Sequence, residues 1–122
     1  MYGEEDDDSI HGLAGDDTLV GGDGDDSIWG QDGADIIQGG WGEDKIKGGD
    51  GDDFLYGDEG IDKVCGDADV DSVYGGDGEY DRVTGGTGND AINSGGAGLY
   101  DDCENNNADA TCEALTETTC MW

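Results

Sequence analysis

Apolar residues in this chain recur at a nearly fixed interval. Ile10, Leu19, Ile28, Ile37, Ile46, Leu55, Val64 and Val73 stand nine residues apart, and Val83, Ile92 and Cys103 continue the series with small insertions. The residues on either side are mostly polar, and many are β-branched or aromatic. A lone inward residue between two outward ones predicts a short strand of three residues whose middle side chain is buried. The six residues between such strands are dominated by Gly and Asp and predict turns. One strand of this length cannot stand alone. A stack of them buries a continuous row of apolar side chains, each unit covering the next.

Two further columns keep the same period. Gly occupies positions 3, 12, 21, 30, 39, 48, 57, 66 and 75, then 85 and 95. With that glycine as position one, position six is Asp in every unit: Asp8, Asp17, Asp26, Asp35, Asp44, Asp53, Asp62, Asp71, Asp81, Asp90 and Asp101, with Tyr80 and Tyr100 counted as insertions. Composition alone would suggest a disordered acidic chain, since 33 acidic residues face 4 basic ones and the net charge is −29. Low-complexity sequence does not hold several columns in register, so a folded repeat array is the reading. The charge excludes ordinary nucleic-acid binding, which needs Lys and Arg against phosphate, and disfavours anionic membranes. No apolar run approaches membrane-spanning length. A halophile's solvated acidic shell is a weaker explanation, because these acids are periodic rather than scattered.

"GGDGDDSIW" (21–29), "GGDGDDFLY" (48–56) and "GGTGNDAIN" (85–93) fit Gly-Gly-x-Gly-x-Asp-x-apolar-x throughout. This pattern resembles the RTX (repeats-in-toxin) hemolysin-type calcium-binding nonapeptide, and the resemblance runs from Gly3 to Glu104. It implies an all-β chain: a right-handed parallel β-roll (β-solenoid) of about eleven nonapeptide units, two per coil, with a sheet on each side and a calcium-binding turn at each edge. It implies calcium shared between units n and n+2. The chemistry agrees. Calcium takes six to eight oxygen ligands, and glycine turns expose carbonyls while position-six aspartates supply charge. About six to eight ions are expected on two rows, held by the eleven aspartates and turn carbonyls at ~2.3–2.6 Å. Rows of carboxylates less than a Debye length apart repel without cations, so folding is expected to require calcium. The bland alternative is a metal-free solenoid with solvated turn aspartates. Unit one lacks Gly at positions two and four, unit eight has Asp69 at position four, and both tyrosine insertions fall in odd units. The row Asp17, Asp35, Asp53, Asp71 and Asp90 is therefore expected to be the more complete.

Odd and even units should form opposite sheets. Lys45, Lys47, Lys63 and Arg82 then share one outer face, and Val20, Ile36, Phe54, Tyr56 and Tyr74 the other. The apolar face is either a contact surface, which would allow self-association, or a reflection of strand propensity. The repeat region spans 1–104, and 105–122 reads as an irregular C-terminal cap. Cys112 lies nine residues after Cys103, which puts both at inward positions if one more unit forms, so a bond between them would cap the open end. Cys65, at an outward position nine, is within reach of Cys120, and the alternative is that Cys65 or Cys120 links two chains. Four cysteines in a small acidic chain favour an extracellular, secreted setting. A C-x-x-C zinc site has no support from the spacings. No nucleophile, zinc-protease or phosphate-loop motif suggests an enzyme, and the single His11 reads as a solvated side chain. The functions considered are therefore a calcium-dependent structural or adhesive module, a self-assembling fibre subunit and, more weakly, an ice-binding face.

Overall fold

A computed structural model describes residues 1–78 and 80–95, and the backbone of 102–104. Those residues contain no helix and twelve strands: β1 (Tyr2–Glu5), β2 (Ser9–Ala14), β3 (Thr18–Asp23), β4 (Ser27–Asp32), β5 (Ile36–Trp41), β6 (Lys45–Asp50), β7 (Phe54–Glu59), β8 (Lys63–Ala68), β9 (Ser72–Gly76), β10 (Arg82–Thr87), β11 (Ala91–Asn93) and β12 (Asp102–Glu104). They form two six-stranded sheets, one in the order β1-β3-β5-β7-β9-β11 and the other β12-β10-β8-β6-β4-β2. Every pairing is parallel and joins a strand to the one two units away, as in Ile28↔Ile46 and Ile37↔Leu55. The chain is a β-solenoid with two units per coil. Tyr2↔Val20 shows that pairing begins with the strand that contains Gly3, one residue before it.

Most strands are six residues long, not three. Each continues from positions seven to nine of one unit through the first three positions of the next. The glycines there do not end pairing, because they stack on their counterparts two units away, as in Gly22↔Gly40. Their missing side chains let the backbone keep its ladder in an unusual conformation. At position two, Gly22, Gly40 and Gly49 have φ of 126°, 118° and 127°. Where that position is not Gly, the stack imposes positive φ anyway: Leu13 and Gln31 both adopt 84°, Asp58 74° and Asp67 79°. Such backbone costs about 1 kcal/mol or more per L-residue, so neighbouring coils over-determine it.

The core is a single row from each sheet. Ile10, Leu19, Ile28, Ile37, Ile46, Leu55, Val64, Val73, Val83 and Ile92, all position-eight residues, are the buried cluster. Cys103 holds the corresponding register position opposite Val83. The insertion at Tyr80 does not shift this pattern. Its φ is 81° and its side chain is exposed, while Arg82 and Val83 stay paired with Lys63 and Val64. The extra residue bulges outward, because the ladder on either side outweighs one strained residue.

The outer faces divide as the unit parity requires. Lys45, Lys63 and Arg82 are successive cross-strand neighbours on the β12–β2 sheet, with Lys47 on the same face. His11 and Trp29 also stack on that sheet, at 4.6 Å between ring centres, so the face is not uniformly basic. The other sheet carries half-exposed Ile36 and Phe54 beside Tyr56 and Tyr74, whose rings stack at 4.9 Å. Cys65 departs from expectation. It occupies an outward position yet is 0% exposed.

Core and outer positions should therefore respond differently to truncation. Leu55→Ala is expected to lower stability in saturating calcium by about 2–5 kcal/mol, because it leaves a cavity in a one-residue-wide core. Phe54→Ser, one residue earlier on the outer face, should cost less than half as much. Thermal unfolding followed by circular dichroism compares the two.

Candidate metal centre

The position-six aspartates sit inside the roll, just before each strand, where the turn folds back toward the core. Asp26, Asp35, Asp44, Asp53, Asp62, Asp71, Asp81 and Asp90 are at most 1% exposed, while Asp8 and Asp17 at the N-terminal end are half-buried. Each carboxylate uses one oxygen to join coils. The backbone N–H of Asp26 donates to Asp44 Oδ1 at 2.8 Å, Asp35 to Asp53 at 2.8 Å, Asp44 to Asp62 at 2.9 Å and Asp53 to Asp71 at 3.0 Å. Asp8 and Asp17 begin these ladders, and the N–H groups of Asp62 and Asp71 carry them to Asp81 and Asp90.

The second oxygen is left over. Oδ2 of Asp8, Asp26, Asp35, Asp44, Asp53, Asp62, Asp71 and Asp90 is buried without a hydrogen-bond partner. It is aimed at the position-one glycine of its own unit. A methyl group added at Gly48 would lie 2.1 Å from Asp53 Oδ2, and at Gly21 2.1 Å from Asp26 Oδ2. Here glycine is required for space, not for φ. The turns also stack closely, since a methyl at Gly42 would lie 2.2 Å from the Gly24 carbonyl oxygen and at Gly51 2.3 Å from that of Gly33.

A buried carboxylate without a counter-charge favours its neutral form. Desolvation pushes the Asp62 and Asp71 carboxyls up to about 7 and those of Asp44 and Asp53 to about 6. The ladder hydrogen bond opposes this rise, and the carboxylate stacked beside each group adds to it. Asp26 and Asp35 are raised by the same causes.

These residues fit a hard cation. Among the described residues no three or more Asp, Glu, His or Cys side chains converge on one point. A cation here would have to combine few carboxylates with several carbonyl oxygens. Calcium accepts such a donor set, whereas zinc seeks four compact ligands of nitrogen or sulfur character. The Tyr80 insertion leaves the aspartate that follows it in the ladder. Asp81 is fully buried and accepts the Asp62 N–H at 3.0 Å despite the Tyr80 insertion. Asp101, Cys112 and Cys120 lie outside the described residues, and Cys103 is described as backbone alone.

A second ladder escaped the sequence reading. Position-five carboxylates point outward and run the opposite way: Asp7 Oδ1 accepts from Asp25 N–H at 2.9 Å, Asp25 Oδ1 from Glu43 N–H at 2.9 Å and Asp16 Oδ1 from Ala34 N–H at 3.0 Å. Asp52 does the same for Val70 at 3.1 Å. The Asp-Asp doublets at 7–8, 16–17, 25–26 and 52–53 were its visible signal.

Parallel coils with rows of buried, half-satisfied carboxylates beneath glycine turns define a cation-binding repeat solenoid. The family model of the RTX calcium-binding nonapeptide repeat matches the chain in four copies, over residues 2–37, 11–46, 29–64 and 47–80. The chain belongs to that family. Neither a curated protein nor a solved structure matches it.

Two outcomes follow for the aspartates. Asp53→Ala, which removes a central ladder acceptor and a buried charge, should raise the calcium concentration at the folding midpoint several-fold. Asp8→Ala, at the half-buried end, should raise it by less than half as much; calcium titration followed by circular dichroism reads both. The second outcome concerns pH. Because the folded-state values lie above 3.8, the folded chain binds protons more tightly than the unfolded one. In chelator, that stabilisation is complete below about pH 4 and is lost as pH rises through 6 to 7. Acidifying the metal-free chain from pH 8 to pH 5 should therefore increase its β signal.

Proposed function

We propose that residues 1–104 form an extracellular calcium-binding β-roll that folds when calcium is supplied and serves as a structural or adhesive module, with 105–122 as its C-terminal cap. One observation carries this reading: the buried Oδ2 oxygens, stacked coil upon coil with no hydrogen-bond partner. Burying an unpaired carboxylate costs several kcal/mol, and a row of them at one strand spacing adds repulsion. About six to eight calcium ions, shared between stacked turns, would supply the missing counter-charge. They would offset roughly half of the −29 net charge. The position-six aspartates from Asp8 to Asp101 would contribute carboxylate oxygens and the glycine turns carbonyls. An extracellular setting suits calcium sites of modest affinity, and the absence of free thiols among the described residues agrees with oxidising surroundings.

A second reading has its own support. Ile36 and Phe54 are 46% and 48% exposed and adjoin the stacked Tyr56–Tyr74 pair. An apolar strip of this kind would let rolls associate face to face, as a fibre subunit requires.

Chelation tests the first reading. In excess EGTA the β spectrum should be lost and the hydrodynamic radius should expand toward that of an unfolded chain. An unchanged spectrum would contradict calcium-coupled folding. The same sizing experiment in calcium decides the second reading, since a monomer at all accessible concentrations removes the fibre.

A further inference from the structure

The four basic residues of this highly acidic chain, Lys45, Lys47, Lys63 and Arg82, all fall on strands of the β12–β2 sheet. Lys45, Lys63 and Arg82 are the first residues of β6, β8 and β10 and are cross-strand neighbours. Lys45 and Arg82 are exposed and Lys63 is half-buried. Like charges one strand apart repel, so this column favours an anionic surface opposite it. The other sheet, β1 to β11, offers one. Its strands carry no Lys or Arg. Glu5, Asp23, Trp41 and Glu59, the last residues of β1, β3, β5 and β7, form a cross-strand column, and exposed Asp77 follows β9. Asp58, Glu59, Gly76 and Asp77 line a hollow of about 250 Å³ at this end of the sheet. Trp41 beside it is 64% exposed.

We propose that copies of this chain stack by translation, the β12–β2 face of one roll on the β1–β11 face of the next, so that Lys45, Lys63 and Arg82 meet Trp41, Glu59 and Asp77. The proposal deepens the fibre reading and rests on it. Connectivity sets the match. With two strands per coil, the chain runs out along one sheet and back along the other, so strands of one sheet start where strands of the other end. Translating a copy across its sheets therefore brings the first residues of β6, β8 and β10 over the last residues of β5 and β7 and over Asp77. Both columns repeat at the strand spacing of ~4.8 Å, so a shift by one coil keeps each cation opposite a carboxylate or an indole face. The same translation sets Ile36 and Phe54, at the other end of their strands, opposite Asp50 and the small Ala68. Because the two faces differ, the contact is heterologous and the array does not close. One face offers roughly 500 Å², hence about 1,000 Å² per contact, at the small end for a specific interface, so assembly is expected only at roughly 0.1 mM or above.

Analytical ultracentrifugation of the calcium-loaded full chain, at concentrations up to about 1 mM, tests this. The unaltered chain should form oligomers that lengthen with concentration. Two double variants each remove one face: Lys45→Ser with Lys63→Ser, and Trp41→Ser with Glu59→Ser. Both alter outward side chains, and circular dichroism checks that they fold. Each alone should associate about ten-fold more weakly or less. Mixed together, they should form one-to-one pairs that grow no further, because each retains the face the other lacks. A Lys variant that assembles like the unaltered chain, or a mixture that fails to pair, would overturn the inference and leave the fibre reading standing. An unaltered chain still monomeric at about 1 mM would remove both.

Discussion

The structure turns on a carboxylate with two unlike oxygens. At every described position six from Asp26 onward, one oxygen accepts a backbone N–H from the coil before it, and the other faces a glycine inside the turn. The first oxygen sets coil spacing and direction. The second is buried beyond the reach of water. A neutral acid can tolerate that environment and an isolated carboxylate cannot, which is why burial drives Asp62 and Asp71 toward neutrality. The hydrophobic row beside these aspartates is only one residue wide per sheet, so the turns must be satisfied for the array to persist. Calcium suits this requirement because it accepts a few carboxylate oxygens together with turn carbonyls.

The same constraint explains which columns of the repeat are strict. Position one is Gly from Gly3 to Gly85 because a methyl there would strike the Oδ2 it faces, whereas in the last unit the register places buried Ser94 opposite Gly75 and Gly95 opposite Gly76. Position two tolerates Leu13, Gln31, Asp58 and Asp67, each held at positive φ by its place in the stack. Position five is looser still, with Ala34, Ile61 and Val70 among its acids, since its ladder lies on the exposed side of the turn. Insertions are accepted where the chain can bulge outward, as at Tyr80, without moving the aspartate that follows.

Much of this was legible in sequence. Period, parity of the two sheets, the ten described core residues and the aspartate columns all follow from local residue type repeated at a fixed step, whereas the burial of those aspartates does not. The rest depends on what lies one coil away. Strand length was underestimated because glycine reads locally as a turn, while stacked glycines pair as well as any strand. The opposed position-five ladder is invisible to a column-by-column reading, although the Asp-Asp doublets marked it. Parity placed Cys65 on an outer face, but its burial depends on neighbours that a nine-residue window does not contain.

Backbone hydrogen exchange at the ladder amides tests the central claim most directly. The N–H groups of Asp26, Asp35, Asp44 and Asp53 each donate to a carboxylate one coil on. With calcium present they should be among the most protected amides in the chain, and in excess chelator at pH 8 they should exchange at unfolded-chain rates. Equal protection in both conditions would mean that the aspartate rows hold the roll together without a cation, contradicting the account.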